Sequence, residues 1–156
     1  MPGLQTFNSA IGPYIVVDTG IIIEFFAGSE NGVKIKEMIF SNPYIVSIFI
    51  TPLTIIEVYY IIRRKNSKED AISIIDKIKK LTKIVSIDDF LELIGEIKSS
   101  TPFSLTDCTN IALAEQKDVK VLFKHETELD KLIEGSKNLQ FTSKLVFIDD
   151  FSYFNQ

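Results

Sequence analysis

Apolar residues along this chain switch repeatedly between two periods, and the switches mark a series of strands and helices. The run Tyr14-Ile15-Val16-Val17 is apolar at every position, as in a strand buried on both faces, and it ends at Asp18-Thr19. Ile21 to Ala27 fits a short helix closed by Gly28, and Val33 to Phe40 a second helix, before Asn42-Pro43 breaks the chain. A strand follows over Tyr44 to Phe49. Thr51-Pro52 then supplies a cap and a first-turn proline for a helix that carries Glu57. From Ser67 onward, Ala71, Ile72, Ile74, Ile75 and Ile78 stand among lysines at amphipathic-helix spacing, with Ser67 and Asp70 as a capping box. Ile84 to Ile87 reads as a short strand and Phe90 to Ile97 as a helix that Thr101-Pro102 stops. Ser104 with Asp107 opens the next helix, which carries Ile111, Leu113 and Ala114. Val119 to Phe123 is a strand, Leu129 to Ile133 a helix and Leu145 to Ile148 a last strand. The first thirteen residues, with Pro2, Gly3, Gly12 and Pro13, read as an irregular N-terminal arm. Strands that alternate with helices predict an α/β fold in three layers, with a central parallel sheet flanked by helices.

Composition narrows this further. With 156 residues, 46% of them hydrophobic, the chain fits a single domain over 1–156 with a substantial core. Tyr44 to Ile62 is apolar enough to suggest a membrane span, followed as it is by Arg63, Arg64 and Lys65. Pro52 and the mid-segment carboxylate of Glu57 argue instead for a buried strand running into a buried helix, and no membrane partner is expected. The single cysteine, Cys108, excludes an intrachain disulfide, and the start of the chain lacks a basic-then-apolar leader; a reduced, cytoplasmic protein is the expectation. A net charge of −4 gives no overall basic surface for phosphates, so any nucleic-acid contact has to be local. One cysteine and one histidine cannot form a zinc cluster. The peptide Ile-Asp-Asp-Phe occurs at Ile87 to Phe90 and at Ile148 to Phe151, each time after a strand where acids make turns; it is not read as a repeat.

Ligands of open parallel sheets bind beyond the carboxyl ends of the strands, so acids that follow strands are the ones to weigh. Asp18 follows the first strand directly, although taken alone an N-cap for the next helix is the readier explanation. Glu57 has apolar neighbours one turn away in Leu53, Tyr60 and Ile61, and an acid among them needs a partner. Asp107 has its own capping role, but the helix it opens, Thr106-Asp107-Cys108-Thr109-Asn110, is small and polar along one side. Past the strand Val119 to Phe123, Glu126 falls in the strand-to-helix loop, whereas Glu128 falls on the following helix, inside a capping box of Thr127 with Asp130. Arg63, Arg64 and Lys65 are the densest cationic run; stabilising a helix C-terminus is their plain explanation.

In this order the motifs resemble those of the PIN domain: a strand ending in Asp-Thr, a mid-helix Glu after a Thr-Pro start, Ser-Leu-Thr-Asp opening a helix, then a strand and an acidic loop. Within that superfamily they are similar to the VapC-type toxins of toxin–antitoxin pairs, over Tyr14 to Leu132. The resemblance implies a metal-dependent endoribonuclease that hydrolyses RNA phosphodiester bonds, with Mg²⁺ or Mn²⁺ held by Asp18, Glu57, Asp107 and Glu126, and Glu128 the less favoured fourth acid. It also implies RNA contacts from Thr19, Arg63, Arg64 and Lys65, a small antitoxin partner and a homodimer. Two positions depart from the pattern. Gly20 stands where serine or threonine is common, and Phe123-Lys124-His125 where Thr-x-Asp is common, so that the fourth acid is displaced to Glu126 or absent. The alternatives are an RNA-processing PIN nuclease without an antitoxin and a catalytically silent binding module. A phosphoacceptor receiver domain fits less well, because it needs an acidic pair after the first strand and a lysine after the last.

Overall fold

The computed structural model describes residues 2–126, 130, 131, 133, 134 and 142–156. Its centre is a sheet of five parallel strands, β1 (Tyr14–Val17), β2 (Ser47–Ile50), β3 (Lys83–Ile84), β4 (Lys120–Phe123) and β5 (Leu145–Phe147), in the order β3-β2-β1-β4-β5. The helices around it include α1 (Pro2–Ile11), α2 (Thr19–Phe26), α3 (Glu30–Ile35), α4 (Pro52–Lys65), α5 (Lys68–Leu81), α6 (Leu91–Ser100), α7 (Leu105–Lys117) and α8 (Ser152–Asn155). The chain builds outward from β1 through β2 to β3, then crosses back and adds β4 and β5 on the other side. Strand order therefore reverses between β1 and β4, where Val16 faces Val121 and Val17 faces Leu122. That reversal makes the carboxyl ends of these two strands the expected ligand-binding crevice.

Alternation along the central strands explains how the sheet is covered. Ile15 and Val17 of β1 and Leu122 of β4 point into one cluster, with Phe7 and Ile11 of α1, Ile21 and Ile22 of α2, Val58 of α4 and Ile75 and Ile78 of α5. Val16, Val121 and Phe123 point the other way, against Ile94 and Ile97 of α6 and Cys108, Ile111 and Ala114 of α7. Burial on both faces accounts for the unbroken apolar runs. Both sequence-predicted starts of the middle helices hold: Thr51 Oγ1 accepts from the Thr54 N–H at 3.4 Å, and Ser67 with Asp70 forms the reciprocal capping box. Among the described residues, no helix is long and apolar enough to cross a membrane.

Several boundaries differ from the sequence reading. The expected irregular arm over residues 1–13 is instead helical over Pro2–Ile11. Its Leu4, Phe7 and Ile11 are spaced for one helical face, Pro2 takes the first helical position, and Gly12, at φ 71°, lets the chain leave left-handed. The prolines and glycines there are punctuation at the two ends of a helix. Strand β2 starts three residues late because Asn42 folds back, its Oδ1 accepting from the Tyr44 N–H at 3.0 Å, and leaves Tyr44 and Val46 exposed. Strand β3 is shorter than predicted and ends before Ser86, where the chain turns into a 3-10 turn over Asp88–Phe90. The helix expected over Val33 to Phe40 begins earlier, at Glu30, and finishes as a π-helical turn over Lys36–Phe40. The short α8 has no counterpart in the sequence reading. Residues 130, 131, 133 and 134 are helical as expected, while Thr127, Glu128 and Leu129 lie outside the described residues.

Candidate active site

Asp18 stands at the reversal point. It is the extended residue between β1 and α2, its backbone N–H donates to Leu122 O of β4 at 3.0 Å, and its Oδ2 accepts from the Gly20 N–H at 3.1 Å as an N-cap. The cap and the candidate site thus use the same carboxylate. Its other oxygen, Oδ1, accepts from Asn110 Nδ2 of α7 at 3.3 Å, and Asn110 Oδ1 in turn accepts from Thr54 Oγ1 of α4 at 3.3 Å. Thr54 and Asn110 are completely buried. Thr54 precedes Glu57 by three residues and Asn110 follows Asp107 by three, so each pair shares a helix face. One hydrogen-bonded chain therefore joins α4 and α7, the helices that carry Glu57 and Asp107, to Asp18 at the end of β1. Sequence reasoning did not single out Thr54 or Asn110; the signal was their one-turn offset from Glu57 and Asp107.

The electrostatics bring the same residues together. The pKa of Asp18 is pushed up to about 8, first by burial, then by the charge of Asp107 and, more weakly, by that of Glu57, with the Gly20 N–H pulling the other way. Asp107 is also raised, by burial first; hydrogen bonding from Ser104 opposes this, and the charges of Glu57 and Glu126 add to it. Glu126 lies in the loop after β4. A Cβ built on Gly20 would stand 3.5 Å from Glu126 Oε1 and 3.3 Å from Asp18 Oδ2, which brings Glu126 to the same edge. The two departures from the family pattern are thereby linked: the side chain missing at position 20 leaves the room into which the displaced glutamate reaches. Among the described residues, no three histidine, cysteine or acidic side chains stand close enough to form a metal-ligand group. All-oxygen, anionic donors suit a hard divalent cation. The Thr19 hydroxyl, buried next to Asp18 with no hydrogen-bond partner among the described residues, is one more oxygen at that place.

The remaining predicted residues fall around this centre. Thr19 is 2% exposed, so its side chain faces the interior and offers RNA no open surface. Arg63, Arg64 and Lys65 occupy the exposed last turn of α4, roughly 9 Å along the helix from Glu57 at 1.5 Å per residue. Arg63 Nη1 donates to Asn66 O at 3.2 Å, and the Arg64 guanidinium lies 4.8 Å from the centre of the Tyr60 ring. His125 turns away from the acids: its ring bonds Asp130 at 2.6 Å and Asp150 at 2.8 Å, and stacks on Phe147. Lys124 pairs with Glu24 at 3.6 Å. Glu128 lies outside the described residues.

No curated protein matches the chain. Among solved structures it is similar to a chain from VapBC2 of Rickettsia felis, bound to a DNA fragment from the promoter of the pair (TM-score 0.62, 13% identity, covering 86% of this chain and 98% of that one). It is also similar to VapC20 of Mycobacterium tuberculosis, described as a sarcin-ricin loop cleaving toxin (TM-score 0.58, 14% identity, 77% and 97% covered). A third similar chain comes from a toxin–antitoxin complex of Klebsiella pneumoniae (TM-score 0.56, 17% identity, 74% and 89% covered). At such identities the likeness is one of fold. The family model of the PIN domain matches residues 15–134, from β1 through the loop after β4, and so takes in every acid gathered at the strand reversal. With that match spanning most of its length, this chain belongs to the PIN-domain family.

Proposed function

We propose that the protein is a metal-dependent endoribonuclease, the toxin of a toxin–antitoxin pair. The observation that carries this reading is geometric: hydrogen bonds from Thr54 through Asn110 to Asp18 tie α4 and α7, which carry Glu57 and Asp107, to the end of β1, and Glu126 reaches the same edge beside Gly20. The similarity to VapC chains supports the toxin assignment, and one of those chains, VapC20, is a sarcin-ricin loop cleaving toxin. Asp18, Glu57, Asp107 and Glu126 would hold Mg²⁺ or Mn²⁺, the ions that carboxylate and water oxygens suit. When bound, such an ion supplies a water of lowered pKa and offsets charge on the scissile phosphate. The chain's own residues do the rest. Asp18 keeps its carboxyl at the cleft through the Gly20 N–H and the Asn110 amide, and gives up the proton it otherwise retains to about pH 8. Asp107 and Glu57 face it from α7 and α4, while Glu126 closes the side left open by Gly20. Arg63, Arg64 and Lys65 receive the RNA backbone from the end of α4.

The partner reading follows from the same comparison: a small antitoxin that covers the cleft, and a second copy of the chain. Ile56 and Leu105, 62% and 54% exposed on α4 and α7, leave apolar surface for such contacts. The deciding experiment uses purified protein and a labelled RNA, with Mg²⁺, Mn²⁺ and EDTA in separate reactions. Cleavage is expected with either ion and not with EDTA, and Asp18→Asn is expected to lower it by orders of magnitude, since the amide keeps the size of the side chain but removes its charge. Equal cleavage by wild type and Asp18→Asn would overturn the reading. Inhibition by the product of an adjacent small gene separates a toxin from an RNA-processing nuclease, and sedimentation measures the dimer.

A further inference from the structure

Asn110 is neither acidic nor exposed, yet it makes the one side-chain hydrogen bond that Asp18 receives among the described residues. We propose that Asn110, oriented by Thr54, is a positioning residue that fixes the Asp18 carboxylate for a divalent cation without adding charge to the site; this rests on the metal-site reading above.

Three features of the geometry support it. Both oxygens of Asp18 are engaged, Oδ2 by the Gly20 N–H at 3.1 Å and Oδ1 by Asn110 Nδ2 at 3.3 Å, so the carboxylate plane cannot rotate freely and its remaining lone pairs point in set directions. The Asn110 amide has two possible orientations, and only the one with its NH₂ group toward Asp18 avoids setting a carbonyl oxygen against a carboxylate. Thr54 Oγ1, completely buried, donates to Asn110 Oδ1 at 3.3 Å and holds that orientation from the far side. The third feature is charge. A lysine or arginine at position 110 would orient Asp18 as well, but it would cancel a negative charge that the cation needs, and an aspartate would repel Asp18. A buried amide donates a hydrogen bond and leaves the charge of the four acids intact. The chain Thr54 to Asn110 to Asp18 also joins α4, α7 and the end of β1, the elements that carry Glu57, Asp107 and Asp18, so a single network sets the mutual placement of three acids.

A polar pair that only held α4 against α7 would affect stability and nothing else, and the test separates the two roles. Mn²⁺ affinity is measured by electron paramagnetic resonance of the free ion in wild type, Asp18→Asn, Asn110→Ala, Thr54→Val, Thr54→Ser and the double variant Thr54→Val/Asn110→Ala, with thermal unfolding of each metal-free protein alongside. The expected result is a loss of affinity of about tenfold in Asn110→Ala, which corresponds to one charge-assisted hydrogen bond. A smaller loss, about threefold, is expected in Thr54→Val and is restored by Thr54→Ser. The double variant should be no weaker than Asn110→Ala, because Thr54 acts through Asn110. RNA cleavage should lose kcat with KM unchanged. Thr54→Val is nearly isosteric and keeps the test open if the cavity left by Asn110→Ala prevents folding. Wild-type Mn²⁺ affinity in folded Asn110→Ala and Thr54→Val, with Asp18→Asn impaired, overturns the proposal alone. Wild type that binds no Mn²⁺, or Asp18→Asn that binds it as wild type does, overturns the metal-site reading and this proposal with it.

Discussion

Asp18 holds a proton at neutral pH in the metal-free protein, because its carboxyl is desolvated and faces other acids, and that proton has a consequence for stability. Its folded-state pKa, about 8, lies above the ordinary 3.8, so the folded chain retains a proton that the unfolded chain releases. The stability tied to it is full at acid pH, below the ordinary value, and is lost as pH rises through the folded-state value. Metal-free wild type should therefore melt at falling temperature from roughly pH 4 to pH 8, whereas Asp18→Asn should lack this component and melt above wild type at the alkaline end, by roughly 10 °C or more. Calorimetry across that range checks it, and parallel pH profiles would show that the carboxyl titrates as an isolated acid. Gly20 offers a second test. Its φ is not left-handed, so alanine suits the backbone in the first turn of α2, but the added methyl would press on Asp18 Oδ2 and Glu126 Oε1 from 3.3 and 3.5 Å. Gly20→Ala should thus leave the melting temperature unchanged or slightly raised and weaken Mn²⁺ binding several-fold. Unaltered binding would remove Glu126 from the ligand set.

Elements differ in how they hold the site. The loop after β4 is not left to itself: the His125 N–H donates to the Asp149 carboxylate at 3.1 Å, and its ring bridges Asp130 and Asp150, so the second Ile-Asp-Asp-Phe segment anchors the loop that carries Glu126. Partial burial works to lower the pKa of His125, but the bonds to Asp130 and Asp150 outweigh it and the net shift is upward. A raised histidine stabilises below its ordinary pKa of 6.5 and loses that contribution as pH rises through the folded-state value. His125→Ala should lower the melting temperature by a few degrees at pH 6 and by less at pH 9, and should speed amide exchange at residues 124–126. Equal losses at both pH values would leave the charged bonds without weight. What the sequence made legible follows from the same element-level physics. Runs buried on both faces and amphipathic spacing disclosed the strands, the middle helices, the capping box at Ser67 and the N-cap at Ser104, because those signals are local. Helix α1 carried its spacing too, in Leu4, Phe7 and Ile11, but its terminal prolines and glycines read as disorder of the backbone when they are its ends. Asp18, Glu57 and Asp107 were visible from their places in known motifs. Thr54 and Asn110 were not, since a threonine and an asparagine acquire their partners only when α4 and α7 cross, and no local pattern encodes that crossing.

At the scale of the whole molecule, an acidic protein has to meet a polyanion. A net charge of −4 repels RNA at long range, and the acids at the strand ends add to that close by, so on the proposed function the exposed end of α4 would have to carry the attraction. Replacing Arg63, Arg64 and Lys65 together by alanine should weaken RNA binding and flatten the dependence of log K on log salt by about 2, at roughly 0.7 per phosphate contact on a single strand, with Mn²⁺ affinity unaffected. An unchanged salt slope would move the RNA path elsewhere. The sheet order has an effect of another kind, on time. The β1–β4 ladder joins residues 15–17 to residues 120–122, and the acids divide between the two halves of the sequence, Asp18 and Glu57 in one, Asp107 and Glu126 in the other. Translation delivers Asp18 and Glu57 early, yet Asp107 follows only with α7 and Glu126 only after β4, which docks beside β1. A ribonuclease so arranged would be incomplete for most of its own synthesis, and a product cut short before residue 120 would lack both β4 and Glu126.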